Sequence, residues 1–255
     1  MLKKNKVSVL FMFIIIISIQ TNLFSQSTGD FRSRQTGTWT GTTTWQRYNG
    51  STWQNTTSYP TSTDGVITIR NGHTITIDAN ITVDQMTINA GGTLNYASSP
   101  ALILFDVIDG VGTDLINNGT INVTDYVTSD SRLNIYGQMI NNNNIEIQID
   151  CHLNVYGTFQ NNDTIITNYS GLYTGKFNVY SGAILQCAPA SIIGGQGNFV
   201  LNDGATIEVG SSQGINALGT NSGNIVTTSV RYFGEESYYI YNGTSNQISG
   251  TGLFK

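Results

Sequence analysis

The pentapeptide Leu133-Asn134-Ile135-Tyr136-Gly137 returns twenty residues later as Leu153-Asn154-Val155-Tyr156-Gly157, and a third copy, Phe177-Asn178-Val179-Tyr180-Ser181-Gly182, follows after twenty-four more. A period of this length describes one supersecondary unit that cannot bury its apolar face alone, so the copies must stack on one another. A second series keeps step with the first: Ile116-Asn117-Asn118-Gly119-Thr120-Ile121, Ile140-Asn141-Asn142-Asn143-Asn144-Ile145 and Gln160-Asn161-Asn162-Asp163-Thr164-Ile165. Two interleaved motifs in one register leave little room for any architecture but a solenoid.

The intervening segments are short alternations of β-branched and polar residues, such as Val66-Ile67-Thr68-Ile69, Thr74-Ile75-Thr76-Ile77 and Thr93-Leu94-Asn95-Tyr96. Each is bounded by Asn, Gly or Asp, and beyond the N-terminal leader no window carries helical periodicity. A β-sandwich would accept such strands but gives no reason for a twenty-residue repeat. The expected fold class is all-β, a right-handed parallel β-helix in which each coil gives about three strands and coils stack at roughly 4.8 Å. About 190 residues at 20 to 24 per coil imply eight or nine coils and a rod of about 40 Å. In the LNIYG-type copies the first and third positions point inward as aliphatic stacks. Asn134, Asn154 and Asn178 point outward, as do Tyr136, Tyr156 and Tyr180, while Gly137, Gly157 and Gly182 mark turns. The Asn-Asn pairs form ladders at a corner, each amide bonding to the next coil.

Lys3, Lys4 and Lys6 precede the apolar run Val7 to Ile19, and small and polar residues follow around Ser25 and Gln26. This is the pattern of a secretory signal peptide over residues 1–25, with an apolar stretch shorter than the ~20 residues of a spanning helix and no later segment apolar enough to span. Losing those three lysines takes the formal net charge from −5 to −8. An acidic mature chain argues against nucleic acid and anionic membranes as partners. Localisation is expected to be secreted or on the outer cell surface. Export permits Cys151 and Cys187 to pair, yet they sit at different phases of the repeat, and two separate buried thiols are the alternative.

Residues 27–64 read as an N-terminal cap, rich in Thr and Gly and carrying Trp39, Trp45 and Trp53, with the β-helix proper over 65–255. The stretch from Trp39 to Tyr96 resembles the extracellular domain family named for its eight conserved glycines, found in animal cell-surface and hyaluronan-processing proteins and in bacterial secreted proteins. The resemblance rests on Trp39 and Trp45, Pro60, the strand Val66 to Ile69, Asn71-Gly72-His73, Thr74 to Ile77, and Gly91-Gly92-Thr93-Leu94. It implies an extracellular β-structure and keeps a carbohydrate role in view. The remaining coils resemble those of large surface proteins of the Bacteroidota, many exported by the type IX system. Such proteins usually end in a sorting domain, and none is recognisable here. The last stretch shows no capping element, so the rod is expected to continue there or to dock onto a partner.

The chemistry-bearing residues are sparse. Asp106, Asp109 and Asp114, around Gly110 and Gly112, are the candidate calcium ligands, although their spacing is not that of an EF-hand. Calcium is the only cofactor the sequence suggests. Asp125, Asp130, Asp150 and Asp163 are scattered singly rather than paired for glycosidic cleavage. Arg132 and Lys176 could act as lyase bases only with lowered proton affinity. His73 and His152 lack zinc-ligand spacing. The outward row Tyr136, Tyr156 and Tyr180 is the candidate binding surface for an extracellular glycan or a surface protein, set against the plainer role of covering the wall by stacking on itself. The leading expectation is a structural or adhesin-like stalk without catalytic activity. A carbohydrate-binding or polysaccharide-cleaving module is the alternative.

Overall fold

The computed structural model describes residues 26–97, 102–124 and 130–252; the leader 1–25 lies outside them, as does Asp125. Its strands form three long sheets, called walls A, B and C here, with parallel pairing between successive coils. Wall A carries Phe31–Ser33, Ile67–Ile69, Met86–Ile88, Leu115–Asn117, Gln138–Asn141, Thr158–Asn161, Ile184–Cys187, Thr206–Val209 and Tyr238–Tyr241 in that order. Wall B runs from Gly37–Thr38 through Thr120–Val123 to Ile192–Gly195, and wall C from Ile81–Val83 through Arg132–Ile135 to Arg231–Phe233. The chain visits A, B and C in turn and then starts again, which makes the molecule a parallel β-helix.

The repeat becomes a vertical stack. Leu133 pairs in register with Leu153 and Leu153 with Phe177, while Ile135 lies over Val155 and Val155 over Val179. All six of these side chains are fully buried. Alternation explains this directly, because every second residue of a strand faces the interior and those between face out. Each large apolar side chain so buried contributes roughly 1.5–3 kcal/mol. Further along, Phe199 stacks on Phe177 in the same column at 5.8 Å between centroids, and the partly buried Phe233, in register with Leu201, packs against Phe199 at 5.6 Å.

The region 27–64 is cap and first coil at once. Phe31–Ser33 pairs parallel with Ile67–Ile69, and Gly37–Thr38 with Thr74–Ile77. On the other side of Phe31–Ser33 the hairpin Trp45–Tyr48 and Trp53–Asn55 adds two antiparallel strands. Trp39 and Trp45 are completely buried and pack edge to face at 5.0 Å, and Trp39 reaches Phe105 at 5.6 Å. Both indole N–H groups donate to backbone carbonyls, of Pro60 and Trp39 respectively, so the plug buries no unpaired donor. Trp53 lies at the edge, under the Arg32 guanidinium at 4.3 Å.

Two local expectations need correction. Only Gly182 among the three repeat glycines has a positive φ, 82°. Gly137 and Gly157 are glycines because of close approach: a Cβ at Gly157 would fall on the backbone carbonyls of Tyr136 and Gly137 in the preceding coil. The second correction concerns Asn134, Asn154 and Asn178. They do point outward, but they are buried there rather than exposed, at 6, 1 and 7 % of their surface.

Candidate functional site on wall C

The outer face of wall C gathers three parallel rows. Strand alternation puts Arg132, His152 and Lys176 in one row, since each pairs in register with the next. The middle row is Asp106, Asn134, Asn154 and Asn178. Tyr136, Tyr156 and Tyr180 form the third, just past the strand ends. The three asparagines of the middle row are buried between the rows on either side, while Asp106 at its end is partly exposed.

Each asparagine donates to its predecessor: Asn178 Nδ2 to Asn154 Oδ1, Asn154 Nδ2 to Asn134 Oδ1, and Asn134 Nδ2 to the Asp106 carboxylate, each at 2.8 Å. The tyrosine rings stack face on face, with centroids 4.8 Å apart for Tyr136 and Tyr156 and 4.4 Å for Tyr156 and Tyr180, inclined by 9° and 11°. Burial, then the neighbouring Tyr180 hydroxyl, pushes the Tyr156 phenol up to about 12. In the first row Asp130 engages both Arg132 and His152, the latter at 3.1 Å from Nε2. Burial holds His152 below its ordinary 6.5; Lys176 and Arg132 push the same way, against Asp130 and Asp150. Arg132 is held above its usual range, first by its hydrogen bond to Asp130.

These facts define what the face can do. A sugar-stacking platform needs free aromatic faces, and here each inner face is taken by the next ring, leaving edges and hydroxyls outward. Arg132, held more firmly protonated by Asp130, is unsuited to act as a base. The wall thus spends its stacked rings and bonded amides on one another, although Arg132 Nε is buried there without a hydrogen-bond partner.

The three aspartates do not converge. Asp106 ends the asparagine row, Asp109 is exposed on the turn, and Asp114 is buried, accepting from the backbone N–H of Gly110 at 3.1 Å and of Gln138 at 2.5 Å. Burial raises the Asp114 carboxyl; the carboxylates of Asp84 and Asp109 add to the rise, and the two backbone donors oppose it. Asp114 therefore clasps one coil's turn to the next. Among the described residues no three carboxylates, histidines or cysteines come together as a metal site. His73 Nδ1 lies 2.8 Å from the Ser33 hydroxyl, tying the first two coils. Cys151 and Cys187 are both buried and are not joined to each other; burial pushes the Cys187 thiol up to about 12.

A second asparagine ladder runs inside the A–B corner. Asn117 donates to Asn141 and Asn141 to Asn161, each at 2.8 Å, and all three are completely buried. Beside it, on the outer surface, Asn162 donates to Asn142 and Asn142 to Asn118. The sequence marked these pairs as ladders but not that one member of each pair turns inward. The signal was present, because Asn117, Asn141 and Asn161 share the parity of the inward Leu115, Met139 and Phe159.

The fold and this face define a class, the parallel β-helices whose walls are stabilised by side-chain ladders. A scan against protein-family models, a search of curated proteins and a search of solved structures returned no match.

Proposed function

We propose that the protein is a secreted or cell-surface structural rod of adhesin-like type, without catalytic activity, that presents its walls to an extracellular glycan or surface protein. The observation that carries this reading is the saturation of wall C: tyrosine faces, asparagine amides and most charges there are spent on one another. Such a wall gives rigidity along the axis rather than a reaction chamber. The lysine-led apolar leader supports export, and the resemblance of Trp39 to Tyr96 to the eight-glycine extracellular domains supports an extracellular setting. The likeness of the later coils to Bacteroidota surface proteins points the same way.

The test is localisation together with binding. Antibody labelling and protease shaving of intact producing cells should find the mature chain outside, beginning near Gln26. The purified chain should leave polysaccharides uncleaved, with and without calcium. A chain retained in the cytoplasm, or calcium-dependent release of unsaturated products from a uronic-acid polymer, would overturn the proposal.

A further inference from the structure

The outer corner between walls A and B changes character after Asn162. One coil earlier the corner is two residues, Asn162-Asp163; here it is four, Ala188-Pro189-Ala190-Ser191, between Cys187 and Ile192. The longer corner is closed on itself, since the Ser191 N–H and hydroxyl both donate to the Ala188 carbonyl at 3.1 and 3.0 Å. It is also held from the next coil, where the buried Asn224 amide donates to the carbonyls of Ala188 and Ser191. Ala188 replaces the next asparagine of the outer ladder, which therefore stops at Asn162. Between this rigid corner and the wall lies a groove of about 330 Å³ that includes Gln160, Asn162, Gln186, Pro189, Glu208 and Asn242.

The groove crosses four coils, three strand spacings or about 14 Å along the rod. Its groups are oriented but not exhausted. Gln186 Nε2 and Asn242 Nδ2 donate to the two Glu208 carboxylate oxygens at 3.2 and 2.8 Å, and Gln160 Nε2 donates to Asn162 Oδ1 at 3.0 Å. Each of these three amides keeps a carbonyl oxygen and a second N–H for a ligand. Balanced donors and acceptors suit hydroxyl groups, which both give and accept. No lysine, arginine or histidine lines the groove, and Glu208 places a carboxylate at its centre, so anionic ligands are repelled.

We infer that this groove binds a neutral, hydroxyl-rich glycan chain lying along the rod axis, with Gln160, Gln186, Glu208 and Asn242 as the contacts. The inference names a ligand class for the adhesive reading and rests on it. The experiment is calorimetric titration of the full mature chain with neutral xylo-, manno- and cello-hexaose and with oligogalacturonate. At least one neutral chain should bind at millimolar concentration and the oligogalacturonate should not. Gln160→Ala and Gln186→Ala should each weaken that binding about tenfold, the loss of one or two hydrogen bonds, with an unchanged thermal midpoint. The inference is overturned if no neutral chain binds, if binding survives both substitutions, or if oligogalacturonate binds equally well. Binding that survives them but disappears in Tyr156→Ala would place the site on wall C, removing the groove while keeping the adhesive rod. Surface localisation is read separately, so a failed groove and a failed rod are told apart.

Discussion

The coils between Leu115 and Tyr180 and those between Ile184 and Tyr241 share one core but treat their surfaces differently. In the first group like stands over like: Tyr136 on Tyr156 on Tyr180, Asn117 on Asn141 on Asn161. In the second the corner column passes to Cys187 and Val209, the Asn178 column of wall C to Val200 and Tyr232, and the tyrosine row to Asn202. The interior stays apolar throughout, with Leu185, Ile207 and Phe199 fully buried. The difference teaches that apolar burial and parallel backbone pairing are common to all the coils, whereas ladders determine how much hydrogen-bonding capacity is left facing the solvent. Laddered coils have little to spare. Where the ladders lapse, amides are left for a ligand, and that is where the groove lies.

The sharpest way to break the comparison is in the shared core. Leu153→Ala should cost about 2–5 kcal/mol in urea unfolding, whereas Ile240→Ala, 47 % exposed on the last strand, should cost less than about 0.5 kcal/mol. Next comes the buried ladder: Asn141→Ala strips a donor from Asn161 and an acceptor from Asn117 and should cost about 2–4 kcal/mol, with Asn162→Ala on the exposed ladder well below that. Similar losses from both asparagines would show that burial of the amides is irrelevant. Smaller still, Tyr156→Ala should lose about 1–2 kcal/mol by removing two ring stacks, while Tyr232→Ala, outside that stack, should change the denaturation midpoint little.

A pH effect is expected at His152 in the laddered group and at Asp114 just before it. His152 has its folded value below 6.5, so the unfolded chain takes up that proton first. The stability linked to it is present above 6.5 and is lost as the pH falls through 6.5 towards the folded value. Asp114 has the opposite sign and a lower window, its contribution being full below 3.8 and lost as the pH rises through its raised folded value. Thermal midpoints compared between pH 7.5 and 5.5 should fall in the native chain, and His152→Gln should flatten the fall. An unchanged slope in that variant would remove His152 from the account.

Legibility in the sequence follows the same division. The laddered coils announced themselves because a repeating ladder favours identity: a side chain that both donates and accepts at the same height serves every storey, so Asn134, Asn154 and Asn178 recur where an apolar column would tolerate Leu, Phe or Val. The fold class, the Leu133–Leu153 register and the tyrosine row could be read from that recurrence. The groove could not, because it arises from an irregularity, the longer corner at Ala188–Ser191, and from residues on four coils that share no motif. The buried state of Asn154 was also hidden, since alternation gives direction but not what roofs a side chain from the next row. The aspartate cluster misled because nearness in sequence says little in a solenoid, where nine residues can turn from a wall to a corner.

The wall C ladder has a head and a tail. Its head is the Asp106 carboxylate, which can only accept, and each Nδ2 behind it is thereby aimed the same way; its tail at Asn178 meets Val200, which can continue nothing. Near-identical coils carry a hazard in assembly, because any of them could settle on the wrong neighbour and still bury its leucines. A string with one obligate acceptor and one mute stop closes in a single order, so a coil docked one storey out of place would strand an amide or the carboxylate. Fidelity of winding is therefore written on the outside of the rod, on a face that contributes nothing to the apolar interior.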